Sequence, residues 1–204
     1  YPALLKQAGY QSGFFGKFGM QMENRLDTTL FDAFYSTRTD GYFRLQGAGW
    51  SEHIHLTDLT TDKAIQFIES TSGNQPFCVS ISYNAPHADD AHPQQYFWAT
   101  HNDELYKAQD IPLSPLVADT FYQALPPFVK ADSTIGRIRW RWRFDTPEKH
   151  QRMVKGYYRM ISTIDDNVGR LLSTLEEMNV SENTIIIFTS DNGYFLGERG
   201  LSGK

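Results

Sequence analysis

Asp191 and Asn192 stand side by side directly after an apolar run, Thr184 to Ser190. Gly193 follows them, then a loop carrying Gly197, Gly200 and Gly203 that reaches Lys204. A carboxylate and an amide carbonyl are hard oxygen donors of the kind that ligate calcium. The glycines let backbone approach a ligand that side chains would hold off, and a lysine ammonium is a compact positive charge for an anion. The segment therefore reads as a place that holds a cation and an anion together. Taken alone, Asp-Asn-Gly after a strand is more often a turn in which Asp and Asn bond their own backbone. Two further polar groups follow apolar runs: His87 ends Asn84-Ala85-Pro86-His87 after the run Phe77 to Tyr83, and Lys17 follows Tyr10 to Phe15. In isolation these are a loop histidine and a solvated lysine.

The apolar runs are what must position these groups. Phe77 to Tyr83 and Thr184 to Ser190 read as buried strands, with Tyr10 to Phe15 a weaker third. Between them, Thr57 to Ser70 carries Leu59, Ala64, Ile65 and Ile68 at helix spacing, with Gly73 placed to stop it. Thr146 reads as an N-cap and Pro147 as the first helical residue. From there Val154, Tyr157, Tyr158, Ile161, Ile164, Val168, Leu171, Leu175 and Met178 form one face of a long amphipathic helix. Strands alternating with helices predict an α/β fold with a largely parallel sheet flanked by helices on both faces. Ligands of such sheets sit beyond the carboxyl ends of the strands. Lys17, His87, Asp191, Asn192 and Lys204 all fall there, so one pocket is expected to collect them. Leu26 to Ser51 and Trp98 to Asp145 read as long, aromatic-rich insertions.

Within the second insertion, Arg137, Arg139, Arg141 and Arg143 alternate with Ile138, Trp140, Trp142 and Phe144. The alternation favours a half-buried strand. A second reading is a rim for an anionic sugar, since arginine bonds sulfates and tryptophan stacks on pyranose faces. Single-stranded nucleic acid is a third, opposed by a net charge of −5 over 204 residues. With 40% hydrophobic and 14% aromatic residues the chain is globular in class, and no run approaches the ~20 apolar residues of a membrane span. Its one cysteine, Cys78, excludes an internal disulfide and a zinc cluster of cysteines, and reads as a small buried strand residue. His53, His55, His92, His101 and His150 read as surface or loop histidines. Asp165-Asp166 reads as a solvated or tertiary-bonded helix face. The start at Tyr1-Pro2 and the end at Lys204, in mid-motif, read as a piece of something longer.

Three segments, in order, resemble the type I sulfatases of the alkaline phosphatase superfamily. They are Leu5 to Lys17, Pro76 to His87, and Tyr158 to Lys204, the last with Ile164-Asp-Asp-Asn-Val-Gly-Arg-Leu-Leu172 and Thr189-Ser-Asp-Asn-Gly193. The resemblance implies that residues 1–204 belong to a single catalytic domain. It implies that Asp191 and Asn192 ligate one divalent cation, usually calcium, and that Lys204 contacts the substrate sulfate. His87 is similar to the histidine that touches the sulfate and protonates the leaving oxygen, and Lys17 to the lysine of a Gly-Lys-aromatic-His segment. Here that segment reads Gly16-Lys17-Phe18-Gly19, with glycine in the histidine's place.

The reaction implied is hydrolysis of a sulfate monoester, on a carbohydrate. Negative charge gathers on the sulfate oxygens and on the departing alkoxide, so a cation and lysines clamp it while an acid meets the leaving oxygen. The family's nucleophile is a formylglycine, made by a sulfatase-maturing enzyme from Cys or Ser in a Cys/Ser-x-Pro/Ala-x-Arg motif. No such motif occurs in this sequence, and Cys78 is followed by Ser80 and Ser82 where the motif needs Pro/Ala and Arg. The nucleophile and the paired aspartates of the metal site are therefore expected outside these residues. The partners implied are a sulfated small molecule or glycan and the maturing enzyme, with no nucleic acid. Two alternatives stay open: a phosphodiesterase or phosphonate hydrolase of the same superfamily, and a non-catalytic sulfatase-like binding protein. Two-metal members typically carry histidine after the aspartate, a nitrogen donor suited to zinc, whereas Asn192 suits one hard cation.

Overall fold

The computed structural model describes residues 1–19, 30–37, 41–46, 52–71 and 75–204. The chain divides into two compact units. Residues 1–102 with 160–184 form the first, and residues 103–159 with 185–204 the second.

The first unit is built on a parallel sheet. Strand β1 (Gln11–Lys17) lies between β2 (Ala33–Thr37) and β5 (Phe77–Ser82). Both faces are covered because successive side chains of β1 alternate. Phe15 is buried against Phe67 of helix α2 (Leu56–Ser70), with ring centroids 5.8 Å apart. Phe14 points the other way, into Phe18, Phe31 and Phe34 at 4.9, 5.7 and 5.6 Å. Helix α1 (Pro2–Gln7) opens the chain, and its Lys6 reaches Asp32 at 3.0 Å. Asp32 also accepts the Ser12 amide at 2.8 Å. That amide first and Lys6 second hold the Asp32 carboxyl below its ordinary range. A hairpin of β3 (Phe43–Gln46) and β4 (Glu52–His55) leads into α2.

Helix α2 begins where expected, capped by His55, whose Nδ1 accepts the Thr57 amide at 3.2 Å. Its buried threonines return their hydroxyls to the preceding turn: Thr60 to the Leu56 carbonyl and Thr61 to that of Thr57, at 2.7 and 3.0 Å. The helix ends at a Thr71 cap, and Gly73, the expected stop, lies outside the described residues. The long helix α6 (Pro147–Glu177) is present, and the Thr146 hydroxyl caps the Lys149 amide at 3.2 Å. Val154, Ile164 and Leu175 of its apolar face are buried, whereas Ile161 is exposed. Asp166 is bonded by His101 and Asn102 at 3.1 and 2.9 Å, the tertiary alternative for that acidic pair.

The second unit holds α3 (Asp119–Gln123), α4 (Pro127–Lys130), α5 (Ile135–Arg143), the first part of α6, and a hairpin of two-residue strands, β6 (Phe195–Leu196) and β7 (Ser202–Gly203).

Several expectations are corrected here. Arg137 to Phe144 lies mostly in the helix α5 rather than a strand. Arg137, Trp140, Arg141 and Phe144 also fall at helical spacing, so the sequence satisfied both periods. Arg137 packs its guanidinium over the Tyr122 and Trp140 rings at 4.2 and 4.0 Å. Thr184 to Ser190 forms no strand: Ile185, Ile187 and Phe188 are 89%, 83% and 77% exposed. No described strand offers this run a hydrogen-bond ladder, and without one an apolar run has no sheet to enter. The first insertion contributes β2, a strand that the sequence reading missed because its five residues end in the polar Ser36 and Thr37 and carry too short an apolar run. His55 and His150 are buried rather than surface groups. Burial pushes both imidazoles below their ordinary pKa.

Candidate functional site

In the first unit two of the expected residues lie at the carboxyl end of the sheet. Lys17 is the last residue of β1, paired in register with Thr37 at the end of β2. The Thr37 hydroxyl donates to the Asn84 side-chain oxygen at 2.8 Å, and Asn84 lies two residues past the end of β5. The chain turns there, with the His87 amide on the Asn84 carbonyl at 3.0 Å. The Tyr42 hydroxyl closes the turn by reaching the Asn84 carbonyl at 3.1 Å and the His87 carbonyl more closely still. Tyr42 is itself buried, stacked between His55 and Phe97.

The His87 ring is oriented by its Nδ1, 2.6 Å from the Ala88 carbonyl oxygen. A carbonyl only accepts, so Nδ1 carries the proton and Nε2 is the nitrogen that gains or loses one. Lys17 thus ends β1, and His87 lies in the turn that follows the adjacent β5, a turn tied down by Thr37 and Tyr42. Sequence reasoning passed over Thr37, Asn84 and Tyr42 as functional groups. The signal that could have found Asn84 was its position in a polar turn after a strand. At Gly19, which replaces the expected histidine, a Cβ would meet open space. A cavity of about 220 Å³ in the same unit is lined by Phe43, His53, His55, Asp58, Thr100 and His101, none of which was expected in the site.

In the second unit the other three expected residues come together. The Lys204 ammonium lies 3.9 Å from the Asp191 carboxylate. Asn192 follows directly, its Nδ2 donating to the Gly193 carbonyl at 2.7 Å, while the Ser190 hydroxyl bonds the Asn192 carbonyl at 2.8 Å. Those bonds are the turn chemistry expected of Asp-Asn-Gly. They leave the Asn192 side-chain oxygen and the exposed Asp191 carboxylate as two adjacent hard donors, of the right class for calcium but short of its six to eight ligands. Among the described residues no group of three or more His, Cys, Asp or Glu side chains is arranged to hold a metal ion. The residues present fit part of a calcium shell and not a whole one.

Between Asp191 and Lys204 the glycines serve close approach. Gly200 has φ +64, and a Cβ there would stand 2.8 Å from Arg137 Nη1 and 2.9 Å from the Tyr122 ring. Cys78 lies within β5 and is half-buried, and burial pushes its thiol up, the opposite of an activated nucleophile. Among the described residues no helix is long and apolar enough to cross a membrane.

A model of the sulfatase family matches residues 2–204. One curated relative, N-acetylglucosamine-6-O-sulfatase of Bacteroides thetaiotaomicron, is 28% identical over 254 aligned residues, covering 100% of this chain and 46% of that protein. The structure is similar to that of BT4656 in complex with its substrate D-glucosamine-2-N,6-O-disulfate, with TM-score 0.66, 24% identity, and 98% of this chain and 51% of that one covered. It is equally similar to a phosphonate monoester hydrolase of Agrobacterium radiobacter, with TM-score 0.68, 18% identity, and 100% and 49% covered. At such identities the likeness concerns the fold, an alkaline phosphatase-type α/β sheet, and does not choose between ester types. The chain spans about half the length of the first of these relatives. With a family match over residues 2–204, the chain belongs to the sulfatase family.

Proposed function

We propose that residues 1–204 are part of a single catalytic domain of a sulfuric ester hydrolase that cleaves a sulfate monoester on a carbohydrate. The observation that carries the reading is the Lys204 ammonium beside the Asp191 carboxylate, at 3.9 Å, on a glycine-rich loop. A lysine beside a cation ligand suits a sulfate whose oxygens meet the ammonium and the cation that Asp191 would hold, since the carboxylate itself repels an anion. Asp191 and Asn192 supply two oxygens of one divalent cation, calcium, and the remaining ligands come from outside this chain. A formylglycine, made by a sulfatase-maturing enzyme from a Cys or Ser that is not among these residues, supplies the oxygen nucleophile that attacks sulfur.

The chain's own groups divide the remaining work. Lys204 and Lys17 bond sulfate oxygens, where charge-assisted contacts strengthen as negative charge gathers. When the sulfur–oxygen bond to the sugar breaks, the departing alkoxide needs a proton. His87 Nε2 gives it, because the bond from Nδ1 to Ala88 fixes which nitrogen exchanges protons. A sulfated sugar as substrate is supported by the relative named N-acetylglucosamine-6-O-sulfatase.

The second reading is a phosphonate monoester hydrolase, favoured by the fold likeness alone. Asn192, an oxygen donor beside Asp191, speaks for the sulfatase. The test is competition: a matured, catalytically competent enzyme carrying this chain, assayed with a 6-O-sulfated glucosamine, an aryl sulfate and a phenyl phosphonate monoester. The sulfatase reading expects the sulfates to be preferred in kcat/KM. Preference for the phosphonate overturns it.

A further inference from the structure

The second unit contains a buried cation that the reaction scheme does not use. Arg143, the last residue of α5, is 1% exposed. Its Nη1 donates to the Tyr194 hydroxyl at 2.8 Å and to the Ser202 hydroxyl at 3.2 Å. These two partners occupy telling places. Tyr194 comes two residues after Asn192, and Ser202 comes two residues before Lys204. One guanidinium therefore grips both arms of the β6–β7 hairpin, close to where each arm leaves for its functional group.

The rest of α5 supports the same loop. Arg137 Nη1 donates to the Gly200 carbonyl at 3.0 Å. At Gly136 a Cβ would stand 3.5 Å from Leu201 Cδ2 and 3.7 Å from the Ser202 carbonyl, so helix and loop are in contact there. Tyr194 is held on its other side by stacking on Tyr157, with centroids 5.5 Å apart. A two-residue antiparallel pair contributes little rigidity of its own. Without a brace, Lys204 and the Asp191-Asn192 pair would be joined only by a glycine-rich loop.

We propose that Arg143 is a positioning residue that fixes the separation of Lys204 from Asp191 and Asn192, by bonding Tyr194 and Ser202 at once. It does not touch the substrate and acts through Lys204. The proposal rests on the reading of Lys204 as a sulfate-binding lysine. Its chemistry suits arginine rather than lysine, because a planar fork with fixed donors holds two acceptors in a set geometry while an ammonium on a flexible stem does not.

The test is a double-mutant cycle in the matured enzyme, with Arg143→Gln, Arg143→Lys, and the milder pair Tyr194→Phe with Ser202→Ala, each made alone and with Lys204→Ala. The milder pair removes only the two hydroxyl acceptors and guards against outright unfolding of Arg143→Gln. Each brace variant is expected to lose roughly tenfold to a hundredfold in kcat/KM, the scale of a small misplacement of a reacting group. Arg143→Lys should recover only part of it. In the Lys204→Ala background the same changes should cost almost nothing more, since coupled residues are not additive. Amide hydrogen exchange at residues 193–203 should rise in the brace variants. Equal fold-losses in both backgrounds, or unchanged exchange together with unchanged activity, would overturn the brace and leave the sulfatase reading standing. If Lys204→Ala alone leaves sulfate hydrolysis unchanged, the premise fails and the proposal with it. That case is told apart because exchange in Arg143→Gln would still rise.

Discussion

Gly16 of β1 runs so close to Ser82 of β5 that a Cβ on it would stand 2.0 Å from the Ser82 carbonyl oxygen. The contact is with backbone, which cannot swing aside, and Gly16 also has φ +111, a conformation L side chains rarely adopt. Gly16→Ala is therefore expected to destabilise the first unit by about 3 kcal/mol or more, from strain and overpacking together. Denaturant unfolding checks this. A loss within the usual range for surface changes would show that β1 and β5 do not approach as described.

Tyr42→Phe should act on His87 from a distance. The hydroxyl reaches the carbonyls of Asn84 and His87, and its removal takes one hydrogen bond from each while the Asn84 carbonyl keeps the His87 amide. The expected cost is about 1–2 kcal/mol of stability, with kcat for sulfate-ester hydrolysis down by roughly tenfold as the His87 turn loosens. Unfolding and steady-state assays on the same preparation separate the two effects.

The buried His55 makes stability depend on pH. Burial, which penalises the charged form, lowers the pKa of its imidazole below the ordinary value and favours the neutral ring in the fold. In the unfolded chain it protonates near its ordinary value, so below about pH 6.5 the unfolded state binds more protons and folding stability falls as pH drops. The window runs from about 6.5 down to the depressed folded value. His55→Asn, which keeps a capping side chain, should flatten the thermal midpoint against pH over that window. An unchanged slope would mean that another group, such as the buried His150, carries the dependence.

Calcium should bind this chain weakly or not at all. Asp191 and Asn192 offer two oxygens, and the ion takes six to eight. Calorimetry should show firm binding only in the matured, catalytically competent enzyme, lost in its Asp191→Ala variant. Tight binding to residues 1–204 alone, retained in Asp191→Ala, would move the metal site elsewhere.

How legible all this was from sequence depended on which elements carry their own signals. Helix α6 was readable because Thr146 and Pro147 mark its start and the apolar spacing runs on for many turns. β1 and β5 were readable as short apolar runs. The Ile185 to Phe188 run failed because strand assignment requires a partner, and composition alone does not supply one. The helix α5 was misread because alternating arginine and tryptophan satisfies two periods, and only contacts such as Arg137 over Tyr122 decide between them. For the site, Lys204 and Asp191 were legible as residue types on one glycine-rich segment. Arg143 was not, since nothing in an arginine-rich helix marks which guanidinium will be buried on Tyr194 and Ser202.

The central claim is that Lys204 bonds an oxygen of the sulfate ester beside a cation that Asp191 would ligate, and the most direct measurement is kcat/KM for sulfate-ester hydrolysis by the matured enzyme with Lys204 changed. Lys204→Ala should lose about a hundredfold, as removal of one oxyanion donor typically does. Lys204→Arg should restore only part of that, because a flat fork does not replace a point charge. If both variants hydrolyse sulfate esters as fast as the parent enzyme, the assignment of Lys204 and Asp191 to the reaction is contradicted.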